Sequence, residues 1–239
     1  DLYSNKLISM MNSLNHRGPD SKNFIIDNES FLGLAHTRLS IQDLSINGNQ
    51  PMESFSKKYM IIFNGEIYNH FELRKYIDTQ TNNIIKWKGT SDTETLINAF
   101  EVLGIDKLLK NLKGMFAFAI WNKKNSELYL VRDSIGEKPL YYGNINNEFA
   151  FASEIKTLNY FFNSKLKIDT DALSAFMSLM YVPSPLSIYK YVNKLEPGYY
   201  LKVSKKNNII NLNKYKWFNL DKFKNKKLIN NEFDLNDNL

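Results

Sequence analysis

Met115-Phe116-Ala117-Phe118-Ala119-Ile120-Trp121 and Leu128-Tyr129-Leu130-Val131-Arg132 are two apolar runs of strand length, joined across residues 122–126. A connection that short pairs antiparallel neighbours, because parallel strands need a crossover of a dozen residues or more. The same texture extends outward. Upstream, strands are expected at residues 24–26, 31–36, 59–63 and near 84–87, with turn residues between them. Downstream they are expected at 140–142 and 149–152, and a last one at 199–203 after Pro197-Gly198. Helical spacing marks residues 3–14, 71–77, 95–103 and 169–180, and Ser153-Glu154-Ile155-Lys156 opens another helix. Gly18 and Pro19 stop the first helix, and Pro183 and Pro185 stop the late one. Helices fall between sets of strands rather than after each strand. That is α+β organisation with antiparallel sheet.

The bulk composition fits such a fold. The chain has 239 residues, of which 43% are hydrophobic and 14% aromatic, enough to fill a sizeable core. No apolar stretch approaches the roughly 18 residues of a membrane helix, and no membrane partner is expected. The default expectation is a soluble cytoplasmic protein. The net charge of +6 raises the question of nucleic acid. The lysines are scattered, however, and the densest run (Lys222, Lys224, Lys226, Lys227) lies in a polar tail. No nucleic-acid partner is expected. There is no cysteine, hence no thiol nucleophile and no thiolate metal site. His16, His36 and His70 lack metal-ligand spacing, so no metal is expected. The chain starts at Asp1 and ends in Asn/Lys-rich sequence, and both ends read as cuts.

Four short stretches stand out. His16-Arg17-Gly18-Pro19-Asp20 is, alone, a helix stop and a turn. His36-Thr37-Arg38-Leu39-Ser40-Ile41 places an arginine on an apolar strand, where burial would demand a partner. Phe63-Asn64-Gly65-Glu66-Ile67-Tyr68-Asn69 carries Asn-Gly after an apolar strand, a strong hairpin signal. Thr90-Ser91-Asp92-Thr93-Glu94 is a capping-box pattern with acids in the first helical turn, which the helix dipole favours without any function.

In this order the four stretches closely resemble the class II glutamine amidotransferases, and among them the asparagine synthetases. Residues 114–119, 132–142 and 152–156 match too, and residues 181–201 resemble the asparagine-synthetase branch specifically. The resemblance covers about residues 7–203. It implies an N-terminal-nucleophile hydrolase fold, a four-layer αββα sandwich of two antiparallel sheets whose first strand is missing here. It divides the chain into a glutaminase domain over 1–203 and, over 204–239, a linker into an absent ATP-dependent synthetase domain.

The resemblance also implies roles. A cysteine on the first strand would attack the glutamine amide, with its own α-amine as base. Asn64 and the Gly65 N–H would form the oxyanion hole. Arg38 would hold the substrate α-carboxylate, beside a wall made by Leu39, Ser40, Ile41 and Gln42. Asp92, helped by the backbone around Glu66, would take the α-ammonium. Glutamine and the synthetase domain are the implied partners, with a homodimer as a further option. No cofactor is expected in this domain, and ATP and magnesium belong to the synthetase half. Without the cysteine, these 239 residues are expected to release no glutamate. Two alternatives stay open. The ammonia could amidate a sugar carboxylate instead of aspartate, or the domain could be a non-catalytic glutamine-binding or docking module.

Overall fold

A computed structural model describes residues 2–220. The lysine-rich run at 222–227 and the rest of the polar tail lie outside them. The elements in chain order are α1 (Leu2–Ser13), β1 (Ser21–Asp27), β2 (Leu32–Arg38), β3 (Met52–Glu53), β4 (Tyr59–Ile67), α2 (His70–Gln80), α3 (Asp92–Asn111), β5 (Gly114–Asn122), β6 (Glu127–Arg132), β7 (Tyr141–Ile145), β8 (Glu148–Ala152), α4 (Ile155–Phe162), α5 (Thr170–Leu179), β9 (Val192–Lys194), β10 (Tyr199–Lys206) and β11 (Ile209–Lys216). All strand pairs are antiparallel.

Six strands form one sheet in the order β11-β10-β6-β5-β4-β3. Its central strands are apolar on both faces, as the runs around residues 59–63 and 115–121 require. Phe116, Phe118 and Ile120 face one way, with Ile61, Phe63 and Val131, and they pack under α2 and α3. Ala117, Ala119 and Trp121 face the other way, with Met60, Leu128 and Leu130. There they meet Leu34 of β2, Tyr142 of β7 and the neighbouring Leu140, from a second strand layer. That layer consists of the β1-β2 pair and the β8-β7-β9 sheet. A third cluster, including Met10, Leu158, Phe162 and Val192, lies between the second layer and α1 and α4. Three clusters separate four layers in the order helix, sheet, sheet, helix. This is the expected αββα sandwich.

The structure departs from the sequence reading at four places. The hairpin expected at Asn64-Gly65 is absent, because β4 runs through it to Ile67, paired with β5 along its whole length. Residues 84–87 form no strand, and Trp87 instead packs against the α2/α3 cluster. Helix α3 continues past residue 103 to Asn111 through a break at Gly104 (φ 71°). The final strand does not end at 203. β10 runs to Lys206, and β11 pairs with it across the edge of the large sheet.

Candidate functional site

The β1-β2 pair and the β8-β7-β9 sheet are not hydrogen-bonded to each other. Between them and the large sheet runs a cavity of about 1020 Å³, open at one side and walled on another by α1. Much of its wall is apolar, including Met10, Leu34, Ala119 and Phe151. One region of the wall is polar and carries nearly all of the expected residues: Arg38, Leu39, Ile41, Gln42, Asn64, Gly65, Glu66 and Asp92. Ser40 is half-buried and off the wall, and its N–H donates to Asp20 Oδ2 at 2.7 Å.

Strand periodicity explains why these side chains converge. Asn64 shares its face of β4 with Met60 and Ile62, which point between the sheets. On β2, His36 and Arg38 share the face of Leu34. Gly65 lies between two cavity-facing residues at φ 154°, where a Cβ would collide with the Met115 carbonyl oxygen. Only glycine fits there. The Asn64 Nδ2 group is buried and has no hydrogen-bond partner among the described residues. Buried amide donors are nearly always paired, so this one calls for an explanation.

Asp92 opens α3 and is almost fully buried. One carboxylate oxygen accepts from the Ile67 N–H at 3.0 Å. Burial pushes its pKa up to about 6, and the charge of Glu66 adds to the rise. The segment before it is held from several sides. Ser91 Oγ accepts from the Glu94 N–H, as a capping box requires. The Glu94 carboxylate, however, accepts from Lys88 N at 2.7 Å and Gly89 N at 3.0 Å rather than closing the box. Arg74 of α2 lies over the Trp87 ring and donates to Thr95 Oγ1, the Gly89 carbonyl and the Ser91 carbonyl.

Arg38 does have a partner in its burial, but that partner is not a carboxylate. Its guanidinium donates to the carbonyls of Ser45 (2.9 Å) and Asp43 and to Asn49 Oδ1 (3.1 Å). It therefore braces residues 43–49. With five N–H groups on the side chain, Nε–H and one NH2 proton remain for a ligand. The Asp43 carboxylate accepts from Ser45 and from the Thr90 N–H, which hold its pKa down at about 2.

The sequence reading missed Gln50. This buried side chain accepts from the Phe63 N–H at 2.6 Å and donates to Thr93 Oγ1 at 3.2 Å. It joins the residue before Asn64 to the residue after Asp92. Nothing in local spacing signals such a bridge, nor the roles of Asp43 and Arg74. His36, quoted only as part of a stretch, donates to the Phe63 carbonyl through Nε2 (3.1 Å). Burial lowers its pKa to about 4, so it is neutral at pH 7, and Nε2 is then the donor. His16 and Arg17 both bond Glu154, and Arg17 also lines the cavity. Gly18 packs against the Thr37–Arg38 backbone, and the Asp20 N–H donates to the Arg38 carbonyl at 3.0 Å.

The profile of the glutamine amidotransferase domain family matches residues 2–216. This chain is a class II glutamine amidotransferase domain. It is 42% identical over 194 residues to asparagine synthetase [glutamine-hydrolyzing] 1 of Bacillus subtilis, covering 81% of this chain and 29% of that protein. It is 36% identical over 214 residues to a putative asparagine synthetase [glutamine-hydrolyzing] 2 of Methanocaldococcus jannaschii, covering 82% of this chain and 40% of that one. The amidotransferase domain thus spans well under half the length of these relatives. Among solved structures, the glutamine phosphoribosylpyrophosphate amidotransferase of B. subtilis matches with a TM-score of 0.60 at 18% identity, over 86% of this chain and 45% of that one. A structure described as the allosteric regulatory enzyme of purine biosynthesis matches at 0.62 and 18%, over 87% and 46%. At that identity the likeness speaks for the fold, and it agrees with the four layers. Among the described residues no helix is long and apolar enough to cross a membrane.

Proposed function

We propose that this amidotransferase domain is the glutaminase half of a cytoplasmic, glutamine-hydrolysing asparagine synthetase. The observation that carries the reading is the unpaired, buried Asn64 amide donor, set on one cavity wall with Arg38 and Asp92. Such a wall offers a free amino acid three complementary groups: a cation for its carboxylate, an anion for its ammonium and a donor for its side-chain carbonyl.

The nucleophile in this reading is a cysteine outside these 239 residues, which contain none. It arrives on a strand that enters the gap between β2 and β8, where the cavity runs. Its thiolate attacks the amide carbon and forms the C–S bond, while the carbonyl oxygen takes the negative charge. Asn64 Nδ2–H and the Gly65 N–H stabilise that oxyanion. Collapse of the intermediate breaks the C–N bond, and ammonia leaves with a proton from the nucleophile's α-ammonium. Water then attacks the thioester, releasing glutamate and regenerating the thiol. His36 stands close to this chemistry, but its low pKa makes it a poor proton store at pH 7. The ammonia passes to an ATP- and magnesium-dependent half that activates an acceptor carboxylate. The names of the relatives favour aspartate as that acceptor.

The test begins with intact mass and N-terminal sequencing of the protein from its source, together with a glutamate-release assay. A mature N-terminal cysteine with glutamate release is the expected result. A native chain with no cysteine would remove the hydrolytic mechanism and leave a glutamine-binding module. The 239 residues by themselves are expected to release no glutamate above a matched blank.

A further inference from the structure

Helix α5 is out of keeping with the rest of the surface. No Asp, Glu, Lys or Arg stands between Asp171 and Lys190, in a chain that is 23% charged. Only Ala172 of the helix is buried. Leu173, Phe176 and Leu179 are exposed, Met177 is 73% exposed, and Met180 just beyond the helix is 78% exposed. Scattered exposed apolar residues are ordinary, but a contiguous set marks an interaction surface.

The helix is also fixed in place. Asp169 caps it by accepting from the Asp171 and Ala172 N–H groups. The two ends of the excursion are tied by the Ile168–Tyr189 bridge, by Asp169 N–H to the Ile188 carbonyl (2.9 Å) and by Lys190 N–H to the Lys167 carbonyl (2.8 Å). Lys194 Nζ donates to the Val182 carbonyl farther along. A partner would meet a preformed apolar arm and pay little to order it.

We infer that the apolar face of α5 and Met180 is the seat of the ATP-dependent half of the same polypeptide. The inference rests on the asparagine-synthetase reading above. Two observations favour this occupant. The relatives are far longer than the matched region, which fills 29% and 40% of their lengths, so a larger unit accompanies this domain in them. Residues 181–201, which follow α5 directly, lie within the region that the family profile matches, and they are the stretch from which the sequence reading expects the asparagine-synthetase branch. A permanent contact inside one chain also suits an uncharged, methionine-bearing face, since obligate interfaces are more apolar than transient ones.

The experiment uses the full-length polypeptide with a photo-crosslinking benzoylphenylalanine in place of Met177. The expected result is an intramolecular cross-link to residues beyond Leu239. A cross-link to a second copy, or no protein cross-link, overturns the inference. A second arm uses the double variant M177E/M180E, whose side chains carry no core contact. Glutamate release and ammonia-driven asparagine formation should match the parent, while glutamine-driven asparagine formation is lost. Unchanged glutamine-driven synthesis would sink the inference. If the parent itself releases no glutamate, the amidotransferase reading fails, and the cross-link still decides where the second half sits.

Discussion

A buried amide donor with nothing to bond costs on the order of 1–3 kcal/mol, so Asn64 is held at the expense of stability. In a polypeptide that carries the nucleophile, Asn64→Ala should lower kcat for glutamate release by about 10²–10³-fold with little change in KM, because the bond forms only as charge develops. The same variant should melt no lower than the parent. Steady-state kinetics and a thermal melt check both, and a rate loss under about tenfold would count against an oxyanion role. Asp92 makes a prediction of a different kind. Its carboxyl, raised to about 6 by burial, must be ionised to hold an ammonium group. Glutamine affinity should therefore fall below pH 6, approaching tenfold per unit, and Asp92→Asn should bind weakly with a flat profile. Calorimetric titration with glutamine across pH 5–8 reads this directly. Stability has the opposite sense. A raised carboxyl holds its proton more tightly when folded, so its contribution is complete below about 3.8 and is lost as pH climbs through about 6. Melts of parent and Asp92→Asn from pH 3.5 to 7 should diverge in that direction.

At the scale of elements, β4 shows what the sequence conveyed and what it hid. Its apolar run announces a strand, and Asn-Gly announces a reversal. The reversal does not occur, because a hairpin at residue 65 would forfeit the pairing of Asn64 through Ile67 with residues 114–117 of β5. Gly65 serves a close approach instead. Gly65→Ala should cost about 2 kcal/mol through backbone strain and displacement of β5, seen as a lowered Tm. The start of α3 was legible because Ser91 and Glu94 are local cap chemistry. The support for that start was not legible. Arg74, Gln50 and Asp43 act on residues far along the chain, and one sequence carries no signal for such pairs. Arg74→Met keeps much of the side chain's bulk but strands the Gly89 and Ser91 carbonyls. It should destabilise by about 2 kcal/mol and raise the KM for glutamine by loosening the segment that presents Asp92. Equal KM with a lowered Tm would confine Arg74 to a structural role.

For the whole molecule, four layers follow from which residues are apolar on both faces. Residues 59–63 and 115–121 could only be central strands, covered by helices on one side and a second sheet on the other. The outer limit of the domain was harder to see. β11 is an edge strand whose residues are mostly exposed, with Ile210 and Leu212 the apolar members packed inward. An edge strand studded with Lys and Asn is a good defence against edge-to-edge pairing, and for the same reason it reads as linker. Trp217, just beyond it, still packs against the large sheet. Its indole donates to the Arg132 carbonyl at 3.2 Å and stacks on Phe116 at 6.0 Å. Phe116 is the residue paired with Gly65, so Trp217 supports the sheet directly behind the proposed oxyanion hole. A linker tryptophan would be indifferent to replacement. Trp217→Ala should instead cost about 2–3 kcal/mol, toward the lower end for a large-to-small change because the ring is only half-buried. In the full polypeptide it should lower the melting transition of this domain and slow glutamate release. A melt and a rate indistinguishable from the parent would favour the boundary at residue 203 that the sequence reading expects.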